Sequence, residues 1–263
     1  MGKYMKGRRY GYLTSENDGG YYKGIQWQQV AGYSVGIVYI EHVNYPLMPG
    51  NVVNAYTYDF PVRMKAVPNL TNDRLFHNDV TIVDDIIAAA KSMVEKDGVR
   101  AICSACGFFG NFQKQVGEAL DVPVAMSSLV QLPMIQNLIK PGQKIGIITA
   151  NGDSMTKELL ESCGVTKTDN LIVKDALKTE EFATVVNNRG YWDNSIAREE
   201  IVALAKELVE ENEDMGAILL ECSDMPPYAA AIQEATQLPV FDFITLIKWL
   251  NNATTQKPYS GWI

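Results

Sequence analysis

Met215 to Phe243 reads MGAILLECSDMPPYAAAIQEATQLPVFDF. Its apolar opening predicts a buried strand ending at Cys222, followed by a short polar turn, a helix and a second strand at Pro239-Val240-Phe241. The same pattern stands 116 positions upstream, where Val99 to Ser127 reads VRAICSACGFFGNFQKQVGEALDVPVAMS. Laid over each other without a gap, the two stretches share Ala101/Ala217, Ile102/Ile218, Cys106/Cys222, Glu118/Glu234, Ala119/Ala235, Pro123/Pro239 and Val124/Val240. Each cysteine falls at a strand-to-helix turn, and each is followed 17 residues later by Pro-Val. Buried strands resemble one another by chance, but matched cysteines at matched spacing point to an internal duplication.

The repeat extends outward from this pair. Lys144 to Ala150 (KIGIITA) echoes the SVGIVYI of Ser34 to Ile40 at an offset of 110, and IVALAKELVE (201–210) echoes IIAAAKSMVE (86–95) at 115. Strands alternating with helices predict parallel sheets with right-handed crossovers. The fold class is therefore α/β: two pseudo-symmetric copies of one unit, each a parallel sheet flanked by helices. Residues 1–128 hold the first copy, residues 1–33 being an irregular arm, residues 129–239 hold the second, and residues 240–263 follow it. The predicted helices include 81–96, opened by a capping-box-like Thr81 and Asp84, and 179–188. Residues 69–78 read as a polar connection.

Composition narrows the function. The chain has 263 residues, 47% of them hydrophobic, enough for a sizeable core, and a formal net charge of −8. That charge argues against nucleic acid or an anionic membrane surface as a partner. No apolar run is long enough to span a membrane, and the first twenty residues carry no apolar signal segment. Four cysteines (Cys103, Cys106, Cys163 and Cys222) are too few to staple a secreted chain of this size, so reduced thiols in a cytoplasmic protein are expected.

The chemistry implied rests on the cysteine pair. A thiol at a helix start lies beside backbone N–H groups that lack intrahelical partners, which lowers its pKa and favours the thiolate. The same N–H groups hold carboxylates. Two thiols on opposite sides of one carbon can take a proton from one face and return it to the other, inverting a stereocentre without a cofactor. Free cysteines are more often small buried hydrophobes. Cys103, inside a strand and matched by Leu219, and Cys163, at a helix end, keep that reading. The spacing Cys103-x-x-Cys106 also fits half of a zinc site, but no second pair exists, and the only histidines are His42 and His77. No metal and no cofactor are expected.

The segments SACGFF (104–109), ECSDMPPYAAAIQ (221–233), PVFD (239–242) and GIITAN (146–151) resemble the aspartate/glutamate racemase superfamily, which includes hydantoin racemases, arylmalonate decarboxylases and maleate isomerases. The resemblance covers roughly Ser34 to Asn252. It implies two Rossmann-like lobes with a cofactor-free two-thiol active site in the cleft between them. It also implies that the last helix returns to the first lobe, so that residues 240–263 join residues 1–128. Glutamate racemases follow their first cysteine with Asn-Thr and their second with Thr-His, whereas Gly107-Phe108 and Ser223-Asp224 follow here. The assisting histidine is therefore missing, and Gly107 beside Phe108-Phe109 suggests close backbone approach next to an apolar wall.

These features lead to one main expectation: a cofactor-independent racemase or epimerase inverting a carbon next to a carboxylate, with Cys106 and Cys222 as the two acid/base groups facing each other across the cleft. The substrate is expected to contact Tyr45, Gly107, Phe108, Ser128, Asn151, Ser223 and Asp224. Alternatives on the same fold are a maleate isomerase, an arylmalonate decarboxylase-like enzyme, or a non-catalytic protein that binds a small carboxylate. A homodimer or higher homo-oligomer is the expected assembly.

Overall fold

The computed structural model describes residues 26–263, together with Leu13 and Gly24. Most of the expected N-terminal arm (1–33) thus lies outside the described residues. Among them, eight strands form two four-stranded sheets, and every paired strand is parallel.

The first sheet holds β1 (Val35–Ile40), β2 (Val62–Val67), β3 (Ala101–Ala105) and β4 (Val124–Ala125) in the order β2-β1-β3-β4. The second holds β5 (Lys144–Thr149), β6 (Leu171–Asp175), β7 (Met215–Leu220) and β8 (Val240–Phe241) in the order β6-β5-β7-β8. The second order is the first with four added to every strand. Even the register repeats: Ile102 pairs with Val124, and Ile218 with Val240. The central strands β1, β3, β5 and β7 are apolar on both faces because helices cover both sides of a parallel sheet.

The helices are α1 (Asn72–Phe76), α2 (Val83–Lys96), α3 (Gln113–Ala119), α4 (Leu132–Leu138), α5 (Lys157–Ser162), α6 (Thr184–Asn187), α7 (Asn194–Glu211), α8 (Ala229–Thr236) and α9 (Phe243–Thr254). None is long and apolar enough to cross a membrane among the described residues. Two of them are exchanged. α4 follows the first sheet, yet Leu132 and Ile135 join a core with Ile145, Ile147 and Leu219 of the second. Gln136 on the same helix donates to the Lys167 carbonyl at 2.8 Å and to Asn170 Oδ1 at 2.9 Å. In return, α9 follows the second sheet and packs Phe243, Leu246, Ile247 and Leu250 against Val35, Ile37, Ala101 and Cys103 of the first. Asp242 and Thr245 close a capping box that fixes where α9 begins.

Three local expectations need correction. The helix at 81–96 is capped one turn earlier: Asp79 accepts from the Thr81 N–H, Val80–Ile82 form a 3-10 turn, and α2 starts at Val83. The polar connection at 69–78 contains α1, capped by the Thr71 hydroxyl. The helix expected over 179–188 shrinks to the single turn of α6. The reason is Glu200 on α7, whose carboxylate accepts from the N–H groups of Glu180, Glu181 and Phe182 at 2.8–3.1 Å. Those amides gain partners without coiling into a helix.

Because α9 covers one face of the first sheet, truncating its buried stripe should destabilise the whole fold. Leu246→Ala is expected to cost about 2–5 kcal/mol. Urea unfolding should show a lower midpoint with an unchanged slope.

Candidate active site in the inter-lobe cleft

The two cysteines follow equivalent central strands. Cys106 comes directly after β3 and opens a 3-10 turn at Gly107–Phe112 that runs into α3. Cys222 follows β7 and precedes the turn into α8. Both line one cleft of about 500 Å³, open solvent included. Tyr45, Phe108, Ser223 and Asp224 line it as well, together with Tyr39, Asn51, Phe76, Val185, Val186 and Glu221. Gly107 lies behind the Cys106 wall against Glu221.

Three expected residues are not among those lining the cleft: Gly107, Ser128 and Asn151. Ser128 is fully buried, and its hydroxyl donates to the Leu220 carbonyl at 3.0 Å and to the Glu221 carbonyl at 3.2 Å. It is spent on joining the lobes. Asn151 stays outside the lining, where its N–H approaches Thr149 Oγ1 at 3.4 Å. Cys103 is fully buried within the α9 core, and burial pushes its thiol up to about 12. Burial likewise raises Cys163 to about 12.

Asp224 organises the polar side of the cleft. Its Oδ1 accepts from Asn51, and its Oδ2 accepts from Tyr45 Oη at 3.2 Å, Ser223 Oγ at 3.3 Å and the Cys222 thiol at 3.5 Å. Burial pushes this carboxyl up to about 6, against the pull of those donors. Tyr45 comes from the loop after β1, and its ring stacks on Trp192 of the second lobe at 6.0 Å. The Gly190 N–H also donates to the Asn44 carbonyl at 2.8 Å. The loop after β1 is thereby tied to the segment between α6 and α7, which screens the cleft from water.

Glu221 was not anticipated from the sequence. It is fully buried; Oε2 accepts from Thr149 Oγ1 at 2.8 Å and from the Ala150 N–H at 3.3 Å, and Oε1 has no hydrogen-bond partner among the described residues. Burial pushes its carboxyl up to about 7. A Cβ at position 107 would come within 1.9 Å of Oε1, so glycine there is a packing requirement set by Glu221. A signal for Glu221 was available: a charged residue at the end of an otherwise apolar strand, beside a suspected catalytic cysteine.

The expected lowering of the thiol pKa is overturned. Burial, then the charge of Glu221, holds Cys106 well above the usual thiol range, and the N–H groups of Phe108 and Phe109 offset this only in part. Burial, then Asp224 and Glu221, does the same to Cys222. Helix-start amides are weak against full desolvation next to two carboxyls. Both thiols are therefore neutral in the empty cleft, and a thiolate forms only if a neighbour takes the proton. The Phe108 N–H faces the Cys106 sulfur and is not free to cradle an anion as expected.

The raised carboxyls have a consequence for stability. Between the unfolded values near 4 and the folded values of about 6 and 7, the native state holds protons that the unfolded chain has released. Stability contributed by these groups is therefore present below pH 4 and lost as pH rises towards 7. Glu221→Gln should flatten that slope and raise the melting temperature above pH 7, as thermal unfolding at several pH values would show.

No family model matches the chain. Among solved structures, allantoin racemase from Pseudomonas fluorescens superposes with a TM-score of 0.58 at 15% identity, covering 87% of this chain and 99% of that one. Glutamate racemase from Bacillus anthracis superposes with a TM-score of 0.51 at 14% identity, covering 86% and 85%. This is the fold of the aspartate/glutamate/hydantoin racemase superfamily. In sequence, the chain is 34% identical over 237 residues to dimethylsulfoniopropionate lyase 7 of Emiliania huxleyi (strain CCMP1516), covering 87% of this chain and 69% of that relative. It is 31% identical over 233 residues to the dimethylsulfoniopropionate lyase of Durusdinium sp. clade D, covering 87% and 77%. Two cysteines in one cleft of a racemase fold, on a chain this similar to enzymes named for a lyase reaction, place the protein in the dimethylsulfoniopropionate lyase family.

Proposed function

We propose that this enzyme cleaves dimethylsulfoniopropionate, or a close sulfonium carboxylate, by β-elimination, with Cys222 as the base and Asp224 as its proton acceptor. The observation that carries this reading is the 3.5 Å contact from the Cys222 thiol to Asp224 Oδ2 inside the cleft. The two groups share one proton. When it moves to Asp224, the carboxylate charge that opposed the thiolate disappears, and the Asp224 N–H still faces the Cys222 sulfur. The thiolate then removes a proton from the carbon next to the substrate carboxylate. The released electron pair forms the carbon–carbon double bond while the bond from the β-carbon to sulfur breaks. Dimethyl sulfide leaves as a neutral molecule carrying the pair of that bond. The products are acrylate, dimethyl sulfide and one proton.

Neutral dimethyl sulfide needs no acid to depart, so elimination uses one base. Once Asp224 is protonated it no longer needs all its donors. The Tyr45 and Ser223 hydroxyls, now given to Asp224, become available to the substrate carboxylate. Inversion of a carbon next to a carboxylate is a second reading, favoured by one observation: a second thiol, Cys106, lines the same cleft. That reaction needs both thiols.

Single-cysteine variants separate the two. Cys222→Ser should lose about 10²–10⁴-fold in the rate of dimethyl sulfide release, the usual worth of a positioned base. Cys106→Ser should keep most of that rate, and Cys103→Ser should match wild type. Equal, complete loss in the two cleft variants, with α-proton exchange and no dimethyl sulfide from wild type, would favour inversion. Because protonated Asp224 cannot accept the Cys222 proton, kcat/KM for elimination should fall as pH drops below about 6.

A further inference from the structure

The cleft contains an imbalance of charge. Two buried carboxyls, Glu221 and Asp224, line it, and among the described residues no lysine, arginine or histidine does. The carboxyls differ in how they are satisfied. Asp224 accepts from four side chains spread over both oxygens. Glu221 spends Oε2 on Thr149 and Ala150, and Oε1, buried against Gly107, has no hydrogen-bond partner among the described residues. An unpaired buried carboxylate oxygen is costly unless something of opposite charge comes to it. Among the described residues the lining offers no such group, and a cationic ligand would supply the counter-charge.

The remaining lining says what kind of cation fits. Tyr39, Tyr45, Phe76 and Phe108 contribute aromatic surface, and Phe76 and Phe108 meet edge to face at 4.9 Å. Ile40, Val43, Val53, Val185 and Val186 add only apolar atoms. A primary ammonium brings three N–H donors, which the aromatic and aliphatic part of the lining leaves unpaired. A methylated onium has none, spreads its charge over methyl groups and gains from aromatic faces.

We propose that Glu221 is the residue that binds the positive charge of the substrate, its buried carboxylate and the aromatic wall together forming a site for a methylated onium group, sulfonium or quaternary ammonium, on a short carboxylic acid. The assignment deepens the lyase reading and rests on it for the identity of the reacting molecule. It gives the lyase a basis for refusing neutral thioethers and free amino acids: the first bring no charge to Glu221, and the second bring N–H groups the wall leaves unpaired.

Two probes of one shape isolate the charge: 3-(trimethylammonio)propionate and its uncharged carbon isostere, 4,4-dimethylpentanoate. Titration calorimetry on the wild-type enzyme should show the cation binding at least about tenfold more tightly, a difference of about 1.4 kcal/mol. Glu221→Gln should erase that preference while leaving the isostere's affinity unchanged, and Glu221→Asp, which keeps the charge, should retain part of it. Equal binding of both probes by wild type, binding of neither, or an undiminished preference in Glu221→Gln overturns the proposal. The wild-type comparison decides even if a variant does not fold. Dimethyl sulfide release is assayed separately. A cation preference without release leaves Glu221 as the onium site and sinks the lyase reading, whereas release without a preference does the reverse.

Discussion

The structure depends on the seating of one four-residue turn, Glu221 to Asp224, between the lobes. It belongs to the second lobe by sequence, yet the first lobe holds it from several sides. Ser128 donates to the carbonyls of Leu220 and Glu221, and the Val52 N–H donates to the Ser223 carbonyl at 3.2 Å. Asn51 and Tyr45 bond the Asp224 side chain. Gly107 gives up a side chain so that Glu221 fits. Ser128, Asn51 and Asp224 are buried, so each of their bonds lost would leave a buried donor or acceptor unpaired. The turn can occupy this place only when both lobes are complete.

The exchange of α4 and α9 serves the same end. Each helix leaves its own sheet and covers the other, so neither lobe has a finished core alone. The core containing Phe108, Phe109 and Phe112 continues without interruption to Leu159 and Cys163 on α5 and to Ile147 and Leu219 of the second sheet. A cleft built across such an interface is held rigidly, as preorganised acid–base chemistry requires. The cost appears in the titrating groups. Burial moves two thiols and two carboxyls away from their ordinary ranges in a single cavity, the pattern expected where function outweighs local stability.

The departures from racemase sequences acquire a chemical sense here. Ser223-Asp224 replaces Thr-His after the second cysteine, so the proton acceptor beside Cys222 is a carboxyl. In the proposed elimination the leaving group is neutral and already activated by its positive charge, and one base is sufficient. A pocket acidic and aromatic in character suits a substrate that carries its own cation.

The duplication, the parallel α/β layout and the placing of Cys106 and Cys222 at equivalent turns were legible in the sequence, because periodicity and spacing are local properties that survive without coordinates. Phe108, Ser223 and Asp224 were legible as neighbours of those turns for the same reason, and Tyr45 as part of the loop at the carboxyl end of the first strand. Tertiary structure alone decided the rest. Glu221 is one carboxylate among many until the packing of Gly107 and Thr149 shows it buried with a free oxygen. Ser128 reads as a strand-end binding group until its hydroxyl is found bridging the lobes. The thiols look activated by helix starts until burial and two carboxyls prove stronger. Desolvation depends on what the other half of the chain brings to a residue, and no window of sequence contains that half.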